Sequence, residues 1–185
     1  ELRRGKPTVW KQYGEDLGVL VGDALNTLAF ENLAKVAPPQ MVRELVLILA
    51  ELSGINGMIG GQTRDIYFEK LAKNLDDKTN KYNLTNLIET HHKKTGCLLI
   101  AAAKMGCVLG RIYGKDRKLV ETFTQKIGLA FQVKDDLLDI EGNEQLVVKK
   151  LTKDQNKGFI SLLDVQKTRE ILNKLIQESI KIAQQ

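Results

Sequence analysis

Apolar residues recur along the chain at intervals of three and four, the spacing that gathers them on one face of an α-helix. Leu17, Val21, Leu25, Leu28 and Leu33 keep that rhythm between Asp16 and about Lys35, with Pro38 beyond, and predict a helix buried on more than one face. The stretch VRELVLILAEL predicts a second helix from Met41 to Ile55, stopping near Gly54 and Gly57. A third starts by Met58 and carries GGQTRDIYFEKLA. LTNLIETHHKKTG leads into CLLIAAAKMGCVLG, which is almost wholly small or apolar and therefore belongs at the centre of a bundle. A long helix is predicted from Lys118 to about Ile140, and a last amphipathic one from about Ile160 to Ile182. Residues 1–15, 73–83 and 141–158 lack a period and predict loops, and RIYGKDR predicts a turn.

Composition narrows this pattern to an all-α fold. Only 5% of the 185 residues are aromatic, and three prolines leave long stretches free for helix. With 43% hydrophobic residues the chain is long enough to bury one core, and a single domain is expected. The formal charge of +5 is spread among acids, with no arginine-rich block or aromatic-interleaved basic stripe, so no nucleic-acid partner is expected. Small anions such as phosphates need only a few placed cations and remain compatible with it. Cys97 and Cys107 match no zinc or redox spacing and read as core thiols in a reducing compartment. The runs LVLILAEL and CLLIAAA are too short to span a bilayer, and no signal peptide opens the chain, so a cytoplasmic protein is expected.

GLAFQVKDDLLDIEG then raises a chemical question, because Asp135, Asp136 and Asp139 fall within one helical turn beside a strongly apolar run. Asp135 and Asp139 share a face at i and i+4, and Asp136 stands about 100° round from Asp135. Three carboxylates held so close repel one another, and the cost grows where apolar neighbours exclude water. A solvated acidic face accounts for these residues without any ligand; a bound cation accounts for their apolar surroundings as well. All-oxygen ligation selects a hard ion, and Mg²⁺ typically takes one or two carboxylates together with waters and phosphates.

Groups suited to phosphate occur elsewhere in the chain. Arg3 and Arg4, in LRRGKPT, offer two guanidinium forks, although a plain basic terminus would look the same. Lys94 and Thr95, in HHKKTG, precede the most apolar helix, where a lysine could meet an anion or simply face solvent in a turn. Gln62 and Asp65 stand at i and i+3 behind two glycines that permit close approach of a backbone or ligand. His91 and His92 are adjacent, cannot share one face as a ligand pair, and read as surface residues.

LRRGKPT, GDALNTLAFENLA, GMIGGQTRDI, HHKKTGCLLIAAAKMG and IGLAFQVKDDLLDIEG occur in the order and approximate spacing of the trans-prenyltransferases, and their wording is most similar to bacterial farnesyl diphosphate synthases. The resemblance extends from the first residues to about Lys157. It implies an antiparallel all-α bundle around a central cavity, usually a homodimer. The reaction it implies is head-to-tail condensation of isopentenyl diphosphate with an allylic diphosphate, dimethylallyl or geranyl, using Mg²⁺. By resemblance, Asp135, Asp136 and Asp139 match the second aspartate-rich motif, whose first member is the principal magnesium ligand. Arg3 and Arg4 match a diphosphate-binding arginine pair. Lys94 matches the lysine on the leaving diphosphate, and Thr95 and Gln132 match groups facing the developing allylic cation. Gln62 and Asp65 match a Gln-x-x-Asp on the cavity wall, and Lys157 a lysine that closes over the diphosphate.

Departures from the family pattern set further expectations. The first aspartate-rich motif of the family precedes the arginine pair, a place that would lie before Glu1, and the family's last helix and basic tail would lie beyond Gln185. The 185 residues are therefore expected to be the central and C-terminal part of a synthase and not to turn over alone. Lys157 is followed by Gly158 where the family usually has Ser or Thr. Farnesyl diphosphate is the expected product; geranylgeranyl diphosphate synthesis, a non-catalytic subunit of a heteromeric synthase and a plain helical interaction module are the alternatives.

Overall fold

A computed structural model of the chain describes residues 2–3, 5–73, 83–141 and 158–185. Arg4, Lys157 and most of the two polar connections expected at 73–83 and 141–158 lie outside the described residues, as does the side chain of Asp139. The described chain is almost entirely helical, as the apolar periodicity predicts. It forms two compact units, residues 1–47 and 48–185.

The first unit departs from the loop expected over residues 1–15. Leu2–Arg3 (β1) and Lys6–Pro7 (β2) pair antiparallel, with Leu2 opposite Pro7 and Arg3 opposite Lys6, around Gly5 at φ 76°. A short helix, α1 (Val9–Tyr13), follows; its N-cap Thr8 accepts the N–H of Lys11 at 3.2 Å. Next, α2 (Glu15–Val36) carries Glu15 and Asp16 in its first turn, where helical N–H groups favour negative charge. It ends at Ala37, which is extended because the ring of Pro38 disfavours helical backbone in the residue before it. The expectation that α2 is buried on more than one face is not met. Leu17, Leu20, Leu25 and Leu28 are 47%, 60%, 61% and 44% exposed, since within this unit it is the five-residue α1 that packs on it.

Helix α3 (Pro39–Ser53) spans the division between the units and begins with proline at the position where a missing N–H costs nothing. In the second unit come α4 (Met58–Lys73) and α5 (Leu84–His91), the latter capped by Asn83 accepting the N–H of Asn86 at 2.9 Å. A single π-helical turn, His92–Gly96, joins α5 to α6 (Cys97–Leu109), and Arg111 at φ 55° helps turn the chain into α7 (Gly114–Glu141). The last predicted helix is two: α8 (Phe159–Leu162) and α9 (Val165–Ala183). They separate because the Asp164 carboxylate accepts the N–H of Lys167 at 2.7 Å and starts a new helix.

α7 organises this unit, packing against α6, α9, α8 and the π-helical turn. Its buried side chains Val133 and Leu137 meet Leu87 of α5 and Phe159 of α8, with Leu129, Ile171, Leu172 and Leu175 around them. Each fully buried side chain of this kind contributes about 1.5–3 kcal/mol, so the contact fixes the end of α7 that carries the aspartates. Cys97 and Cys107 are buried thiols, as expected, and burial pushes the Cys97 thiol above its ordinary range. Among the described residues, no helix is long and apolar enough to cross a membrane.

Candidate functional site

The polar residues singled out in the second unit come from α4, the π-helical turn and α7, and the turn brings them together. A π-helical turn contains one residue more than the α-helical path, which rotates the side chains after it. Here the N–H of Cys97 reaches back five residues to the carbonyl of His92. The buried positions record the slip, stepping from Leu87 to His91 by four, from His91 to Gly96 by five, and from Gly96 to Ile100 by four again.

Consecutive residues of the turn thereby reach two different helices. Lys94 Nζ donates to Asp65 Oδ2 on α4 at 2.6 Å, while Thr95 Oγ1 donates to Gln132 Oε1 on α7 at 2.9 Å. The close approach of α4 depends on Gly61. A Cβ there would stand 2.2 Å from the backbone nitrogen of Lys94 and 2.7 Å from the carbonyl carbon of Lys93, both main-chain atoms that cannot swing aside. Arg64, one helical turn after Gly61, fixes the same junction by an ion pair to Glu89 at 2.7 Å. Gln62, on the same helix, is exposed.

The amide of Gln132 is oriented at both ends. Its oxygen takes the proton of Thr95, and its nitrogen faces Asp135 Oδ2 at 3.5 Å, a long and weak contact. Thr95 therefore has lone pairs left to offer, and the exposed Asp135 keeps its oxygens accessible. Lys94 also remains about one-third exposed (34%), enough to reach an incoming anion. One corner of the unit thus presents an ammonium, a hydroxyl with available lone pairs, an amide and a carboxylate.

Asp136, next to Asp135, is turned to other work: its Oδ2 accepts the backbone N–H of Phe159 at 2.8 Å. His91 corrects the expectation of a surface residue. It is 8% exposed, and its ring stacks on Phe159 at 5.6 Å between centroids and 15° between planes. The helical phase of Leu87 and His91 carries that placement, whereas reasoning from the adjacent histidines alone missed it. His92 is half-buried. Gly61 is one of the two glycines whose spacing before Gln62 suggested a close backbone approach, whereas no pattern in the sequence marked the π-helical turn. Arg3 lies exposed in β1 of the first unit.

Mg²⁺ typically takes only one or two protein carboxylates and completes its shell with waters and phosphates. Among the described residues no three His, Cys, Asp or Glu side chains gather into a cage of their own, whereas exposed Asp135 can offer one hard oxygen ligand.

Comparison with known proteins gives these observations a family. Residues 1–185 match the family model described as polyprenyl synthetase. Geranylgeranyl pyrophosphate synthase 3, chloroplastic, of Arabidopsis thaliana is 37% identical over 187 aligned residues, covering 97% of this chain and 50% of the relative. Farnesyl diphosphate synthase of Escherichia coli is 35% identical, covering 97% and 60%. An apo crystal structure of an FPP/GFPP synthase from Zymomonas mobilis superposes with a TM-score of 0.80 at 36% identity, covering 98% of this chain and 59% of that one. Geranyltransferase from Helicobacter pylori complexed with magnesium and isoprenyl diphosphate gives 0.78 at 32% identity, covering 98% and 58%. The chain spans about half the length of most of the curated relatives it matches. By family, by sequence identity and by its all-α fold, the chain belongs to the polyprenyl synthetases.

Proposed function

We propose that this chain supplies the diphosphate-leaving-group side of a Mg²⁺-dependent prenyl diphosphate synthase that condenses isopentenyl diphosphate with dimethylallyl or geranyl diphosphate to give farnesyl diphosphate. The observation that carries the reading is the pairing made by the π-helical turn, with Lys94 held on Asp65 and Thr95 held on Gln132. Ionisation of an allylic diphosphate separates charge, leaving a negative diphosphate and a carbon cation. In this reading Lys94 meets the first, its ammonium held on Asp65 until an anion competes for it. Thr95 and Gln132 meet the second in this reading, with oxygen lone pairs on groups too weakly nucleophilic to trap it. Because Thr95 spends its proton on Gln132, its oxygen faces the cation as an acceptor.

Asp135 would hold Mg²⁺, with Asp139 beside it in the same motif, and the ion when bound would neutralise charge building on the diphosphate. Arg3, Arg4 and Lys157 enter the proposal as further diphosphate-binding cations, and Gln62 as a cavity-wall residue, on the resemblance of their motifs. No protein nucleophile takes part; the proton lost after addition passes to the released diphosphate.

Geranylgeranyl diphosphate is the second reading for the product. What favours it is the comparison itself, since the matched relatives include the Arabidopsis geranylgeranyl enzyme at 37% identity and the bacterial farnesyl enzyme at 35%. A homodimer is part of the proposal. Isothermal titration calorimetry with inorganic pyrophosphate, with and without Mg²⁺, tests the site. Binding that requires Mg²⁺ and weakens at least about tenfold in Asp135→Asn and in Lys94→Ala is expected, a loss of roughly 1.4 kcal/mol or more. Equal binding by both variants and the parent chain would sink the assignment. Product analysis of the whole protein, supplied with isopentenyl and geranyl diphosphates, separates the two product readings.

A further inference from the structure

The two adjacent aspartates of KDDLLD have different surroundings, and the difference assigns them different work. Asp135 is exposed, whereas half-buried Asp136 reaches across 23 positions of sequence to accept the backbone N–H of Phe159. That N–H opens α8, whose own N-cap residue, Gly158, has no side chain with which to cap it. The carboxylate of α7 therefore performs the capping that a serine or aspartate normally performs from within the helix.

Two neighbours fix this geometry. Gly158 has φ 91°, which L side chains rarely adopt, and a Cβ there would come within 2.5 Å of Asp136 Oδ2. Phe159 is fully buried, packs with Val133 and Leu137, and stacks on His91. His91 is the residue immediately before the π-helical turn that bears Lys94 and Thr95. An unbroken line of contacts thus runs from Asp136 through Phe159 and His91 to the turn.

Resting on the prenyl diphosphate synthase reading, we propose that Asp136 is a positioning residue, a latch that seats α8 and Phe159 against His91 and so braces the turn, and that it is not a ligand to Mg²⁺. The role requires a hydrogen-bond acceptor at the carboxylate position and no negative charge, whereas metal ligation depends on the charge.

Asp136→Asn separates the two roles, because its amide oxygen can still accept the Phe159 N–H. The test uses the full 185-residue chain, with thermal melting in the absence of Mg²⁺ and calorimetry with Mg²⁺ and inorganic pyrophosphate. Asp136→Asn is expected to melt within about 2 °C of the parent chain, and Asp136→Ala about 3–8 °C lower. Pyrophosphate binding is expected to stay within about threefold in Asp136→Asn, while Asp135→Asn loses at least about tenfold without a matching fall in melting temperature. If Asp136→Asn loses binding as Asp135→Asn does while melting like the parent, Asp136 is a ligand and the latch fails. If Asp136→Ala melts like the parent, the latch fails as well. Should the parent chain show no Mg²⁺-dependent pyrophosphate binding, the functional reading falls, and the two melting temperatures still decide the latch.

Discussion

Asp164 caps α9 from the exposed surface, and the backbone N–H of Lys167, aided by the Lys167 ammonium, holds its carboxyl below the usual carboxylate range. Glu178 is lowered in the same direction by its hydrogen bond from Lys126, at 2.6 Å, which ties α9 to α7. A carboxyl whose folded pKa lies below its unfolded one stabilises the fold above the ordinary value of about 4 and loses that contribution as pH falls through the lowered one. The melting temperature is therefore expected to drop as pH is lowered from about 4. Asp164→Asn keeps a capping oxygen and carries no titrating group, so its melting temperature should fall less steeply over that window. Parallel curves for Asp164→Asn and the parent chain would show that this cap does not contribute to the acid sensitivity. Single residues of this kind were legible in the sequence only where chemistry marks them. Lys94 and Thr95 stand out as polar groups before the most apolar helix and Asp65 as an acid behind two glycines, whereas Gln132 was marked by the family resemblance alone. His91 was misplaced because it was judged as half of a histidine pair, whereas its spacing of four from Leu87 puts it on the buried face of α5.

At the level of elements, periodicity located α2, α3 and α7 to within about four residues at each end, and an almost wholly apolar run marked α6. It failed where the rhythm was too short or interrupted: over the hairpin and α1, at the break before Asp164, and at the π-helical turn. The turn matters most for the site, and Gly61 is what allows α4 to lie against it. Gly61→Ala puts a methyl group into main-chain atoms of Lys93 and Lys94, so the helices must part. A destabilisation of about 1–3 kcal/mol is expected by chemical denaturation, together with weaker pyrophosphate binding as Lys94 and Asp65 separate. Gly106→Ala is the matched control: it lies within exposed backbone of α6, where a Cβ would meet nothing within 4 Å, and is expected to be neutral or to gain up to about 1 kcal/mol. Equal stability of Gly61→Ala and the parent chain would remove Gly61 from the account of how the turn is held.

For the molecule as a whole, the apolar stripe of α2 is the feature that most needs an outlet. Leu17, Val21, Leu25 and Leu28 follow one another by four, four and three residues, which keeps them on one face, and each is exposed. Val19 and Leu20 add to the exposed apolar surface of the same helix. Soluble chains seldom leave an apolar face of this length in water, because each leucine withdrawn from solvent contributes about 1.5–3 kcal/mol. The sequence pattern assigned these residues to a buried face, and a second copy of the chain would supply the cover that α1 does not. Light scattering coupled to size-exclusion chromatography is expected to give twice the 20.7 kDa chain mass at micromolar concentration. Leu25→Glu sets a charge in the middle of the stripe and is expected to shift the chain to its monomer mass with its helical circular dichroism retained, because a side chain 61% exposed contributes little to the monomer's own packing. If Leu25→Glu remains dimeric, the α2 face is not the contact; if the parent chain is already monomeric at tens of micromolar, the proposed homodimer falls.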